Sequence, residues 1–220
     1  MLKKEITKKE WGSILKENNL LKAYYEGLKA INTRLRTEKE LNTILKKKDY
    51  TSTEINYALQ RLEKEGYLNH KIYIESYIHD ALTLNIVGEN KISKDLEKLG
   101  FTEEEIRKEL KKIDKNIYLE KIKKYIDKKL KANKKSANEF KQKITLDLIN
   151  KGFAKEDITN YLSTINIEDN EEEISKMVNK LYHKYMNKYD LYTTKMKIKG
   201  YLYSKGYTNI DIDKYLKRAS

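Results

Sequence analysis

One spacing pattern recurs four times in this chain. It runs from an apolar residue to a Leu four later, an aromatic five later, an Ile five later and a Leu four later. The copies are Leu41, Leu45, Tyr50, Ile55, Leu59; Ile92, Leu96, Phe101, Ile106, Leu110; Ile144, Leu148, Phe153, Ile158, Leu162; and Ile198, Leu202, Tyr207, Ile212, Leu216. None needs a gap. Gly100, Gly152 and Gly206 directly precede the aromatic in the last three copies, and Asp49 holds that place in the first. The first Leu of each copy recurs after 51, 52 and 54 residues. A period of this length marks a tandem array of small helical or strand units, each leaning on its neighbours, rather than one layered domain.

Within a copy, the first half reads as a short helix with apolar residues at i, i+4 and often i+7, as in Ile92, Leu96 and Leu99. The glycines then fall where a helix end favours positive φ, and the aromatic after each can pack back on the helix just left. A helix start follows. Thr51, Thr102 and Thr208 stand at the N-cap position with Glu54, Glu105 and Asp211 three later, whereas copy three offers only Ala154 with Asp157. A longer amphipathic segment precedes each pair, at about 19–32, 70–85, 115–133 and 171–189, and Asn69 is a cap for the second of these. Thr7 and Glu10 would cap a further short helix holding Trp11, Ile14 and Leu15. The expected fold is all-α: tandem three-helix repeats, four copies, forming an elongated, curved array. Its expected segments are a short N-terminal extension (1–19) and repeats at 20–65, 66–113, 114–166 and 167–220. The absence of Pro and the presence of only 8 Gly suit that reading, since both residues interrupt helices.

Hydrophobic residues make up 39% of the chain and charged residues 37%, a polar balance that fits thin repeats. With no Cys there is no disulfide framework, thiolate nucleophile or cysteine metal site. No apolar run approaches the length of a membrane helix, and the start Met1-Leu-Lys-Lys-Glu lacks the apolar core of a signal peptide, so a cytoplasmic monomer with no membrane partner is expected. The net charge is +13, which favours polyanionic partners. It is concentrated: residues 108–143 hold fourteen Lys against five carboxylates, +9 of the total. At about 100° per residue, Lys121, Lys124, Lys128, Lys131 and Lys135 fall in one stripe of the third long helix, with Leu119, Ile122, Tyr125, Ile126 and Leu130 opposite. Such a ladder is either a solvated face or a surface for nucleic-acid phosphates or an acidic protein groove. As point charges, lysines would read no base sequence.

Catalytic and metal motifs are missing. His70, His79 and His183 have no second His at ligand spacing, and neither glycine-rich phosphate loops nor dinucleotide fingerprints occur. The acidic runs Glu103–Glu105 and Glu171–Glu173, and Asp211 with Asp213, lie at expected helix starts, where they complement the dipole. Most of the 18 Tyr, including Tyr50, Tyr77, Tyr125 and Tyr207, sit at core spacing, although Tyr can also stack on bases. No cofactor, no metal and no enzymatic activity are expected.

The run Arg34-Leu-Arg-Thr-Glu-Lys-Glu-Leu41, then Leu45, Ile55, Leu59, Gly66-Tyr67-Leu68-Asn69, Tyr73, Tyr77, Gly88, Ile92, Leu96 and Gly100-Phe101, resembles the RecX recombination regulators. Lys143 and Lys151-Gly152-Phe153 match the basic residue and Arg-Gly-Phe of that family's third unit. The likeness covers residues 20–165 and the fourth copy extends it. It departs at Asn69-His70, where the family has two Asp, and at Ala81, Leu82 and Thr83, where the family carries Arg. The resemblance implies binding to the RecA filament and to single- and double-stranded DNA through phosphates. It further implies inhibition of ATP hydrolysis, strand exchange and co-protease activity, and so a part in DNA repair, recombination and the SOS response. In that setting Lys121, Lys124, Lys128, Lys131 and Lys135 are the expected filament or phosphate contacts, with Arg34 and Arg36 next, unless those two Arg serve as ion-pair partners of Glu38 or Glu40. The alternative is a general nucleic-acid-binding helical-repeat protein without a RecA role; another is a scaffold for an acidic protein.

Overall fold

The computed structural model describes residues 7–208 and 210–216. Among them lie twelve α-helices and no strand: α1 (Lys8–Thr33), α2 (Glu38–Lys46), α3 (Ser52–Lys64), α4 (His70–Leu84), α5 (Glu89–Lys98), α6 (Glu103–Leu110), α7 (Lys115–Lys131), α8 (Ala137–Asn150), α9 (Lys155–Thr164), α10 (Glu171–Met186), α11 (Leu191–Ser204) and α12 (Ile212–Leu216). This is the all-α, four-fold three-helix series that the spacing predicts. The chain divides into two compact units. One holds the chain up to Asn85 with Ile92–Ile113; the other holds Ile86–Lys91 and the chain from Asp114 onward.

The repeated pattern is the core. All of its twenty positions are buried except Tyr50 and Leu216, which are half-buried. Each buried Leu or Ile contributes about 1.5–3 kcal/mol of transfer free energy relative to exposure. In the first unit α1, α2 and α3 pack on one another around Ala23, Tyr24, Leu41, Leu45, Ile55 and Leu62. In the second, Ile174, Val178, Ile198, Leu202 and Tyr207 join α10, α11 and α12.

The turns behave as their residue types require. Gly100, Gly152 and Gly206 have φ of 103°, 87° and 82°, and Asp49 has 63°. The aromatic after each donates its backbone N–H to the Leu five residues back, as in Phe153 N to Leu148 O at 3.0 Å. Thr51 and Thr102 form complete capping boxes with Glu54 and Glu105, and Ala154 makes no side-chain cap. Thr37 and Glu40 form another box, at the start of α2.

These turns also join consecutive repeats. In the first unit the Lys39 ammonium, on α2, donates to Lys98 O at 2.8 Å beside the Gly100 turn. In the second, Gly88 N and Asn90 N donate to Lys151 O and Gly152 O at 2.9 and 3.1 Å. Ser136 Oγ and Asn138 Nδ2, at the start of α8, donate to Lys205 O and Gly206 O at 2.7 and 3.0 Å. Each time, the start of one repeat's middle helix seats on the glycine turn of the next.

Three expectations are corrected. Trp11, Ile14 and Leu15 do not form a separate short helix: with no breaker after them, they are the first turns of the 26-residue α1, and all three are exposed. The fourth repeat's last helix begins at Ile212 and not after Thr208, because the Asp211 carboxylate accepts from Asp213 N at 3.0 Å and starts the helix there. Of the four Tyr placed in the core, only Tyr207 is buried; Tyr50, Tyr77 and Tyr125 are half-buried, and the Tyr125 hydroxyl donates to Asp147.

Candidate nucleic-acid interface

Helix α7 begins at the Asp114 cap, whose carboxylate accepts from Asn116 N at 2.9 Å. It buries Tyr118, Ile122 and Ile126 against its unit. The opposite face is cationic. Lys123, Lys124, Lys128 and Lys131 are exposed, and no ion pair neutralises them among the described residues. Lys128, Lys129 and Lys131 occupy the last turn, where cations complement the carbonyl end of the helix. Asp127 is held within this face by the Tyr161 hydroxyl, which donates to it at 2.7 Å; burial and that carboxylate push Tyr161 up to about 12.

The expected five-lysine ladder is shorter than its spacing suggests. The helix ends at Lys131, so Lys135 is not on it. Asn133 closes a turn there: its side-chain oxygen accepts from Lys135 N at 3.0 Å and its amide donates to Lys135 O at 2.8 Å. The Lys135 ammonium pairs with Glu139. At the other end Lys121 is half-buried, and burial, with Lys124 nearby, lowers its pKa. Leu119, expected in the core, is 41% exposed, and Tyr118 takes the inward place instead. The open stretch from Lys121 to Lys131 spans about 15 Å at 1.5 Å per residue.

Arg34 and Arg36 lie in the first unit around one carboxylate. Arg34 Nη2 donates to Glu40 Oε1 at 2.5 Å, and Arg36 Nη1 stands 4.0 Å from the same oxygen. Arg36 also donates to Ala30 O and Thr33 Oγ1, both at 3.4 Å. Glu40 Oε2 accepts from Thr37 N at 3.0 Å, so this carboxylate caps α2 and gathers both guanidinium groups. Of the two ion-pair partners weighed, Glu40 is the one engaged. Arg34 keeps a largely exposed side chain.

A second basic feature escaped the sequence reading. The end of α7, the turn after it and α8 enclose a cleft of about 390 Å³ lined by Lys129, Lys134, Lys135, Lys143, Asp147 and an apolar floor that includes Phe140 and Ile144. Beside it, Tyr125 donates to Asp147 Oδ2 at 2.5 Å, and the ammonium groups of Lys129 and Lys151 both lie 5.5 Å from its ring centre. Burial, then Asp147, pushes the Tyr125 hydroxyl up to about 12. Lys143 was counted in the 108–143 charge cluster, but nothing in the spacing placed it beside the end of α7.

His70 Nδ1 lies 2.7 Å from Glu105 Oε1 and its ring meets Phe101 edge-on at 5.1 Å. Burial raises Glu105, but hydrogen bonds from His70 and Thr102 outweigh it and hold the carboxyl at about 2. Among the described residues no three His, Asp or Glu side chains are grouped to hold a metal ion, and no helix is long and apolar enough to cross a membrane.

Family models for the first and third three-helix domains of RecX match residues 23–62 and 168–216. A Regulatory protein RecX of Streptococcus agalactiae is 32% identical over 195 residues, 87% of this chain and 75% of that protein. The chain belongs to the RecX family. A further RecX relative, from Bacillus mycoides, is 29% identical over 97% of this chain and 80% of its own length. Two RecX crystal structures share the fold. One aligns with a TM-score of 0.68 at 22% identity, over 75% of this chain and 83% of that one. The other, from Lactobacillus salivarius, has a TM-score of 0.61 at 24% identity, over 68% and 99%. The RecX domain matches fall on the first and fourth copies of the repeat, so copies two and three lie between them.

Proposed function

We propose that this chain is a regulator that binds RecA and its DNA filament and lowers RecA's activities: ATP hydrolysis, strand exchange and co-protease cleavage. The observation that carries the reading is a RecX-family chain whose charge is concentrated on an exposed helix face and the cleft beside it. A filament is a periodic polyanion. A chain of repeated basic units meets it with several weak contacts whose combined avidity exceeds any one of them. Lys124, Lys128 and Lys131 meet phosphates or the filament surface, with Lys121 and Lys135 at the ends of that surface, and Arg34 and Arg36 are secondary contacts from the first unit. Each lysine that neutralises a phosphate releases condensed counterions, so binding is independent of sequence and falls steeply with salt.

The test is single-strand-dependent ATP hydrolysis by RecA with this protein titrated below one copy per RecA. The expected result is strong inhibition, lost in the charge-reversed variant Lys124→Glu, Lys128→Glu, Lys131→Glu. Salt-sensitive DNA binding without any effect on RecA would overturn the reading in favour of a general nucleic-acid binder.

A further inference from the structure

We infer that the cleft between the end of α7 and α8 seats one nucleotide of single-stranded DNA, its phosphate on Lys134 and Lys143 and its sugar and base on the apolar floor. The inference rests on the nucleic-acid contact proposed above and goes beyond it in naming a site and a strand preference.

Three observations carry it. The first is where cations remain available. Among the described residues Asp147 is the only carboxylate lining the cleft, and it is already engaged by the Tyr125 hydroxyl at 2.5 Å and by Lys151 at 3.9 Å. Lys135 is paired with Glu139. Lys143 makes no ion pair among the described residues. Lys134 has Glu172 in its neighbourhood, but that carboxylate is bound to Lys176 at 2.7 Å. Lys129 lies over the Tyr125 ring, so Lys134 and Lys143 are the two lining ammonium groups with neither an ion pair nor a ring contact among the described residues.

The second is the floor. Phe140 and Ile144 are almost fully buried beneath the cleft, and Ala132 lies at its edge. A free phosphate gains nothing from such a surface. A nucleotide does, because it joins an anionic group to a flat, weakly hydrated ring, the combination that single-strand grooves exploit. At about 390 Å³ the cleft is large enough for one such unit.

The third is access. In a duplex the bases are stacked and paired, and seating one here would cost a few kcal/mol of unstacking. A single strand presents them freely. The exposed lysines of α7, by contrast, are point charges that meet the phosphates of either form.

The experiment uses the whole protein, with fluorescence anisotropy on a labelled fifteen-nucleotide oligothymidylate and on a labelled hairpin duplex. Lys134→Ala with Lys143→Ala is compared with Lys46→Ala with Lys47→Ala, which removes the same charge from an exposed turn in the other unit. Circular dichroism checks that both variants are folded. The cleft variant is expected to lose about tenfold on the single strand and less than about threefold on the duplex, with the single-strand salt slope reduced by about 0.7, the value for the one phosphate the cleft neutralises. The control pair is expected to lose equally on both. Equal losses on both probes in the cleft variant, or none, would overturn the inference. Wild-type protein that bound neither probe would instead defeat the broader nucleic-acid reading on which it stands.

Discussion

Gly152 meets two demands at once. Its φ of 87° is strained for a side chain, and a Cβ there would lie 2.3 Å from Lys91 N and 2.4 Å from Lys91 Cβ. Backbone on the far side cannot yield cheaply. Gly152→Ala should therefore cost on the order of 2–4 kcal/mol in chemical denaturation. Gly200 is the contrast: it lies within α11 with open space around it, so Gly200→Ala should gain about 0.5–1 kcal/mol from helix propensity. Asp49 explains why the first copy dispenses with glycine. The residue is exposed, and Asp is among the few side chains that tolerate left-handed backbone. Glu105 gives a pH prediction. Its folded pKa is held at about 2, below its ordinary 4.5, so its stabilisation is fully present above the ordinary value and is lost as pH falls through 2. Both partners are partly exposed, so Glu105→Gln should cost about 1 kcal/mol at neutral pH, and urea titrations should show that deficit closing toward pH 2. The glycine turns and the caps at Thr7, Thr51, Asn69 and Thr102 were legible in the sequence because their chemistry is local, whereas the cap expected at Thr208 gave way to Asp211. The His70–Glu105 pairing was not legible, since it joins residues 35 apart.

At the scale of elements, α7 was legible as a helix with one cationic and one apolar side because both follow from period alone. Its end was not. The cluster of lysines continues through Lys134 and Lys135, and only the Asn133 turn, a side-chain-to-backbone device, decides that the helix stops at Lys131. The inward rotation of Lys121 and the outward position of Leu119 likewise depend on which neighbours the helix packs against. If the exposed face makes the proposed phosphate contacts, replacing Lys124, Lys128 and Lys131 by Ala should flatten the duplex salt dependence by about 2.7, or 0.9 per lost contact, measured from the logarithm of affinity against that of salt. The cleft beside α7 was illegible for a plainer reason: Lys129 and Lys143 become neighbours only when α8 folds back.

For the molecule as a whole, period and composition revealed the repeat count, and the four-copy pattern became the buried core almost position for position. The division into two compact units was not readable, because every junction in the sequence looks alike. Stability in such an array is local. Leu202→Ala should cost about 2–5 kcal/mol and raise amide hydrogen exchange through α10, α11 and α12 while leaving the protection of α1, α2 and α3 unchanged. The seating of a helix start on the next glycine turn has one more consequence. Repeats two and three each carry both halves of that joint, the turn that receives and the helix start that inserts, and at the start of α11 Leu191 and Tyr192 are exposed. A joint with both halves in each unit is self-templating. Tandem duplication of about fifty residues would supply a new socket and a new plug together, so chains of this design can lengthen or shorten by whole repeats without inventing a new interface.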